Sequence, residues 1–205
     1  MVDVKKLIAE QERLAKKVIV RNEYGEIRLI GGVDQSYQDK KIISAIVVCD
    51  FETLKVVEKK YSATETPLPY IPGFLSYREM PGILETYSKI ENKPDLLIID
   101  GNGILHPRRI GIASHLGIIL DIPTIGIAKK LLCGEVKGDF VEMNGEKRAA
   151  LVMTKEHSKP IYVSPGHKIT LKNSVEIVMK TIKRPHKLPE PLYLAHRHAD
   201  EAKSL

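Results

Sequence analysis

The sequence predicts an α/β fold in which a mixed sheet, antiparallel over its first three strands, is flanked by helices. Three apolar segments rich in β-branched residues come first, at residues 27–34, 42–49 and 55–63. The turns between them are short, so these strands should form a meander. Strand and helix patterns alternate further along the chain, and this alternation is typical of parallel β-α units.

The other elements follow from hydrophobic spacing and from turn residues. An amphipathic helix is expected first, over residues 3–18. A proline-rich loop, TPLPYIPG, separates the third strand from the next helix. The remaining predicted elements are, in chain order, a helix at 76–90, a strand at 95–100, a helix at 109–120, a strand at 123–127, a hairpin around Asn144-Gly145 with strands at 140–143 and 149–154, a strand at 161–164, a helix at 173–182 and a helical tail from Pro191.

Length and composition indicate one globular domain over residues 1–205 with a polyanionic partner. The net charge is +6 and the pI is about 9.1, although an ordinary lysine-rich surface gives the same values. Cys49 and Cys133 form no CxxC pair, which argues against a zinc site or a disulfide framework. The sequence has no membrane-spanning apolar run and no signal-peptide core at its start, so we expect a cytoplasmic monomer without a membrane partner.

The most informative stretch is PDLLIIDGNGILHPRRIGIASHLG, at residues 94–117. An apolar strand delivers Asp100 to its carboxyl end, where ligands bind in open α/β sheets. Asp34 ends the first predicted strand, so neighbouring strands would bring the two carboxylates together. Adjacent carboxylates repel each other unless a cation lies between them, and oxygen ligands select hard ions such as Mg²⁺. Taken alone, Asp34 could equally be a turn-forming aspartate.

Three further side chains are candidate metal ligands. Glu79 follows the proline-rich loop on a predicted helix, although a solvated helix glutamate has the same pattern. His196 and Asp200 lie four residues apart in the tail, so they would face the same side of a helix. Either of them can bind a metal, and a surface charge pair is the alternative.

Two arginines, Arg108 and Arg109, follow the glycine-bracketed turn at residues 101–103. Their guanidinium groups could hold a phosphate. Because the pair opens a predicted helix, the arginines could instead cap or pair within the fold. Carboxylates beside phosphate-binding arginines would suit metal-assisted chemistry on a phosphate.

Together these residues resemble the endonuclease V family, which nicks nucleic acid near deaminated adenine (inosine). The similarity extends from about residue 5 to residue 200. It rests on the motifs GGVDQSY around Asp34, PYIPGFLSYRE at 69–79, DGNGILHPRRIGIASHLG at 100–117, PTIGIAKKLLCG at 123–134, YVSPGHKITL at 162–171 and LPEP at 188–191. The order of elements is likewise that of ribonuclease H-like nucleases.

The resemblance implies a ribonuclease H-like fold and a dependence on Mg²⁺, with Mn²⁺ as a substitute. It implies hydrolysis of the second phosphodiester 3′ to the deaminated base, which leaves 3′-hydroxyl and 5′-phosphate ends. Inosine-containing DNA is the implied partner. RNA stays open, because no motif shows which residue would contact a 2′-hydroxyl.

The family's site residues carry over by motif. Asp34, Glu79 and Asp100 match its metal-binding carboxylates, and they are predicted to act in catalysis together with Lys129. Lys129, in GIAKK, matches the lysine near the scissile phosphate, where a fixed positive charge stabilises developing negative charge. The matching base-recognition residues are the wedge Pro69-Tyr70-Ile71-Pro72, the pocket residues Gly73, Leu75, Gly101 and Gly111, and His115 beside the active centre.

Two departures from the family pattern affect this carry-over. Asn102 stands where the DGHG form of the motif has a histidine. The family usually reads LPEPTR, whereas this chain reads LPEPLYLAHRHAD. Direct spacing assigns the last metal ligand and catalytic residue to His196, while an insertion would assign that place to Asp200.

Other functions stay open on the sequence. A junction resolvase or another structure-specific nuclease of the same fold would need neither the PYIP wedge nor the glycine pocket. An inosine-specific ribonuclease is a further alternative. A catalytically silent nucleic-acid binder predicts that Asp34→Ala and Asp100→Ala change no activity. A purely structural domain predicts no salt-dependent affinity for DNA.

Overall fold

A nine-stranded mixed sheet runs through the computed structural model, which describes residues 3–204. The strands are β1 (Leu29–Gln38), β2 (Lys41–Asp50), β3 (Val56–Glu65), β4 (Leu96–Asp100), β5 (Thr124–Ala128), β6 (Glu135–Lys137), β7 (Phe140–Met143), β8 (Glu146–Val152) and β9 (Ile161–His167). The helices are α1 (Val4–Ala15), α2 (Leu75–Ser88), α3 (Ile112–Leu120), α4 (Leu171–Lys180) and α5 (Glu190–Glu201), and a 3₁₀ helix follows at Ala202–Ser204. Residues 1, 2 and 205 of the predicted domain lie outside the described range.

The strands follow the order β3-β2-β1-β4-β5-β9-β8-β7-β6 across the sheet. β1, β2 and β3 form the predicted antiparallel meander, while β4 lies parallel to both β1 and β5. The sheet continues through the antiparallel strands β9, β8, β7 and β6. The mixed sheet with three antiparallel strands at its start is therefore confirmed.

Helices cover both faces of the sheet. On β4, Ile98 belongs to the core beneath α4 and α5, whereas Ile99 belongs to the core beneath α2 and α3. Successive side chains of a strand point to opposite faces, so Asp100 shares the face of Ile98. Asp34 shares the same face, because it lies four residues after Ile30 on β1. No helix within residues 3–204 has both the length and the apolarity needed to cross a bilayer.

Two predicted boundaries next to the site are wrong, and one strand was not predicted. β1 continues to Gln38, so Asp34 lies inside the strand and not at its end; pairing with β2 holds the extra residues. α3 begins at Ile112 and not at Arg109, which adopts a left-handed conformation with φ of 59°. The sequence does not predict β6, because its exposed side chains lack apolar alternation.

Candidate active site

Two aspartates meet where β4 ends and β1 continues. Val33 of β1 lies opposite Ile99 of β4 in parallel register, so the next residue on each strand is an aspartate, Asp34 or Asp100. Asp34 is 4% exposed, and Asp100 is half-buried. The structure thus brings together the two aspartates that the sequence analysis paired.

Helix α5 brings His196 to this pair. Gly32 permits the close approach, because a Cβ on Gly32 would lie 2.1 Å from the backbone of Pro191. The Nδ1 atom of His196 lies 2.7 Å from Oδ2 of Asp34. Asp200, one turn later, lies 3.6 Å from the other ring nitrogen of His196. Of the two tail residues, His196 is therefore the one placed against the aspartate pair.

Glu79 approaches from α2 and is 4% exposed. The hydroxyl of Tyr37 donates a hydrogen bond to its Oε1, while its Oε2 is buried without a hydrogen-bond partner. The guanidinium of Arg78 lies 4.9 Å from the centre of the Tyr37 ring. A buried acceptor without a partner costs folding free energy, so this position suits a ligand that supplies the missing partner.

Burial and neighbouring negative charge raise the pKa of two of the carboxylates, Asp34 and Glu79. Burial raises the pKa of Asp34, and the charge of Asp100 adds to the effect. Burial also raises the pKa of Glu79 to about 8; the Tyr37 hydroxyl opposes this shift, and the charges of Asp100 and Asp34 add to it. A divalent cation would offset the repulsion, because it attracts each carboxylate in its charged form. A set of carboxylate oxygens with one imidazole nitrogen suits a divalent metal ion.

Lys129 follows β5 directly and completes the charged cluster. Its Nζ lies 2.6 Å from Oδ2 of Asp100. Burial lowers the pKa of Lys129, but the charge of Asp100, its hydrogen bond with the ammonium group and the charge of Asp34 together outweigh burial and raise the pKa overall. The ammonium group is therefore charged at neutral pH. Its side chain is 43% exposed, so it remains accessible to a phosphate.

The carboxylates do not form a ready-made metal cage. Within residues 3–204, no three His, Cys, Asp or Glu side chains converge closely enough to hold an ion as they stand. Each carboxylate pairs instead with a neighbouring side chain, namely His196, Lys129 or Tyr37.

A small pocket lies next to these residues in the fold, and we call it the base pocket. Four residues predicted for base recognition line it: Tyr70, Gly73, Leu75 and Gly111. Tyr70 is 64% exposed, so its ring is accessible to a ligand. The lining residues that the sequence analysis missed are Ser76, Asn102, His106, Ile110, Ile112 and Leu132.

The residues predicted for base recognition that do not line the base pocket are Pro69, Ile71, Pro72, Gly101 and His115. Three of them flank Tyr70 in the wedge. A Cβ on Gly101 would lie 2.4 Å from the side chain of Ile112, so this glycine lets a lining residue pack closely. His115 is buried on α3 and packs its ring against Tyr77, with 5.6 Å between ring centroids.

Both arginines of the HPRR motif make contacts within the fold. Arg109 forms an ion pair with Glu146 at 2.9 Å. Arg108 donates hydrogen bonds to Gln11 and to the carbonyl oxygen of Gly73. These contacts favour the internal role over the phosphate role for both arginines.

Tyr37, Asn102 and His106 belong to the site although sequence reasoning did not select them. Each lies in a motif that carries the family resemblance: GGVDQSY, DGNG or HPRR. The Oδ1 atom of Asn102 is buried without a hydrogen-bond partner. The motifs were therefore the available signal, but only the fold shows which of their side chains face the site.

The sheet order and the carboxylates on β1 and β4 define a ribonuclease H-like nuclease. The model of the endonuclease V family matches residues 12–197, and the chain belongs to this family. It is 48% identical over 197 residues to endonuclease V of Dictyoglomus turgidum. This match covers 92% of this chain and 86% of the relative.

Solved structures agree with this assignment. Endonuclease V from Bacillus subtilis superposes with a TM-score of 0.91 at 31% identity, covering 100% of this chain and 93% of that one. Endonuclease V from Ciona intestinalis, in complex with a 24mer DNA containing an inosine followed by a ribo-adenosine, gives a TM-score of 0.87 at 27% identity. That match covers 98% of both chains. The protein is accordingly a nuclease.

Proposed function

We propose that this protein is a metal-dependent endonuclease that recognises inosine in nucleic acid and hydrolyses the second phosphodiester 3′ to it. The products carry 3′-hydroxyl and 5′-phosphate ends, and DNA repair is the corresponding role. One observation carries the proposal: the adjacent Asp34 and Asp100, with Glu79, Lys129 and His196 around them, lie beside a pocket with an exposed aromatic ring.

Asp34, Asp100, Glu79 and His196 are the residues that would hold Mg²⁺, or Mn²⁺ in its place. The bound ion would acidify a water molecule and stabilise the oxygen that leaves. Lys129 contributes a fixed positive charge next to Asp100, where negative charge develops on the phosphate. In the reaction the water oxygen bonds to phosphorus and gives up a proton to solvent, the bond from phosphorus to O3′ breaks, and O3′ takes a proton from solvent.

Base recognition falls to the wedge and the base pocket. Taking a base out of the stack costs roughly a few kcal/mol, and Tyr70 can stack where the base has left. α2 begins without a side-chain cap, so the N–H groups of Leu75 and Ser76 have no partner within the helix. Both residues line the base pocket. Their N–H groups can donate to O6 of hypoxanthine, which replaces the amino group of adenine.

The partner we propose is inosine-containing DNA, because the Ciona relative was crystallised with such a DNA. The same DNA carries a ribo-adenosine after the inosine, which favours an inosine-specific ribonuclease as the second candidate. We further propose that residues 1–205 act as a single domain and as a monomer. No membrane partner is part of this proposal, and the cytoplasmic location stays a prediction.

The test uses a duplex with a single deoxyinosine and an otherwise identical duplex with adenine. With Mg²⁺ we expect one nick past the inosine, and we expect none with EDTA or with the adenine duplex. An inosine-containing single-stranded RNA in the same series separates the two candidates. Cleavage restricted to branched junctions would contradict both of them.

A further inference from the structure

Three side chains converge on the carbonyl oxygen of Gly73. Gln11 of α1 donates from Nε2 at 2.9 Å, His106 donates from Nε2 at 3.0 Å, and Arg108 donates from Nη2 at 3.1 Å. The same Gln11 amide accepts a hydrogen bond from Nε of Arg108. We call this arrangement the Gly73 clamp. A carbonyl oxygen has two lone pairs, so three donors restrain this peptide more than a single turn hydrogen bond would.

Burial or further contacts hold each member of the Gly73 clamp in place. Gln11 is 1% exposed. The Nδ1 atom of His106 accepts the backbone N–H of Arg108, so its proton lies on Nε2 and faces Gly73. Burial lowers the pKa of His106 to about 4; the hydrogen bond to Gly73 opposes this, and the charge of Arg108 adds to it. The Arg108 guanidinium also lies 4.7 Å from the centre of the Phe74 ring.

Gly73 joins two parts of the base-recognition apparatus. The wedge precedes it, and α2 starts two residues after it, at Leu75. Its φ of 80° is a left-handed conformation that glycine adopts at little cost. A Cβ at this position would also lie 3.1 Å from Nη2 of Arg108. Restraining this one peptide therefore restrains both the wedge and the first turn of α2.

We propose that Gln11 and Arg108 are positioning residues for base recognition, which act by fixing the orientation of the Gly73 carbonyl at the edge of the base pocket. This inference rests on the proposed function. If the carbonyl were released, the Gly73 peptide could rotate and present its oxygen to the pocket. A carbonyl oxygen there would accept a hydrogen bond from the amino group of adenine, which hypoxanthine lacks. The clamp would thus preserve the preference for inosine without touching the base.

The first experiment needs no nucleic acid. Gln11→Met removes the amide at nearly constant volume, and Gln38→Met is the matched control at an exposed position on β1. We expect hydrogen exchange over residues 69–76 to become about tenfold faster in Gln11→Met. Exchange over β4 should stay unchanged, as should all exchange in Gln38→Met. Unchanged exchange over residues 69–76 would overturn the inference, whether or not the protein cleaves inosine.

The second experiment measures selectivity. We expect Gln11→Met to lower the ratio of affinities for inosine and adenine duplexes about tenfold, with a higher KM and a kcat within about twofold of the wild type. The selectivity of Arg108→Lys, which keeps a positively charged donor group, should lie between that of the wild type and that of Arg108→Met. A wild type without inosine preference would overturn the proposed function. Normal selectivity in Gln11→Met with accelerated exchange would overturn the positioning role alone.

Discussion

The carboxylate site (Asp34, Glu79, Asp100, Lys129 and His196) and the base pocket are neighbours built from different groups. In the carboxylate site, charged side chains meet at short distances and burial raises the pKa of two acids. In the base pocket, backbone groups and neutral side chains predominate, and burial keeps His106 uncharged at neutral pH.

The difference follows from what each region is proposed to bind. A metal ion and a phosphate are charged, so each can offset the opposite charges of the site. Without such a partner those buried charges destabilise the fold. A neutral base offers only a hydrogen-bonding edge and a ring face, so its recognition depends on fixed shape. We therefore expect substitutions in the carboxylate site to change rate, metal affinity or stability, and substitutions around the base pocket to change selectivity.

The largest effect should come from Asp100→Asn. This change keeps the shape of the side chain but removes a charged ligand, and a metal contributes several kcal/mol to such a reaction. We expect cleavage to fall at least about 10³-fold, while affinity for an inosine duplex changes little. Single-turnover kinetics and fluorescence anisotropy measure the two quantities. Asp121→Asn, at the exposed end of α3, is the control, and equal losses in both variants would contradict the assignment.

The next largest effect should be a change in stability, produced by Glu79→Gln. Folding raises the pKa of Glu79 from 4.5 to about 8, so the folded state binds its proton more tightly than the unfolded state does. The stability that Glu79 contributes is thus lost as the pH rises from near 4.5 through about 8. In EDTA at pH 9, Glu79→Gln should be more stable than the wild type, by on the order of 5 kcal/mol. The two should converge near pH 4.

Thermal unfolding across this pH range tests the prediction. Glu85→Gln is the control on the same helix: its hydrogen bond from Lys89 lowers the pKa of Glu85, so this change should not stabilise the protein at pH 9. If Glu79→Gln were less stable than the wild type at pH 9, the carboxylate site would not be a destabilising cluster.

Lys129→Met should lower kcat by about 10²-fold, which is the usual loss when one fixed charge at a developing oxyanion is removed. Lys130→Met is the matched control, because Lys130 is the adjacent exposed lysine. The kcat of this variant should stay within about twofold of the wild type. Rate measurements at saturating substrate distinguish the two. A kcat loss of similar size in both variants would show that overall positive charge matters and not the contact with Asp100.

The smallest effect should come from the tail. His196 lies 2.7 Å from Asp34, so His196→Ala should raise the Mg²⁺ concentration for half-maximal activity about tenfold. Asp200→Ala should raise it less, because Asp200 reaches the cluster only through the far nitrogen of His196. Titration of activity with Mg²⁺ compares them. The opposite order would reassign the tail ligand to Asp200.

Local pattern was sufficient for the order of the elements other than β6 and for the aspartate pair. Apolar runs predict β1 and β4 directly, and a parallel neighbour relation then brings Asp34 and Asp100 together. The ends of the strands and helices were harder to predict from the sequence. β1 extends past Asp34 because β2 supplies hydrogen-bonding partners there, and a pairing between strands is not visible in the spacing of one segment.

By itself, the sequence determined the α/β class, the family and the residues that carry charge, because these depend on short motifs and on hydrophobic period. The tertiary structure placed His196, and not Asp200, next to Asp34, since that placement depends on how α5 crosses the sheet at Gly32. It also decided the role of Arg108, whose partner Gln11 is 97 residues away in sequence. Contacts over such separations arise only when the elements pack together.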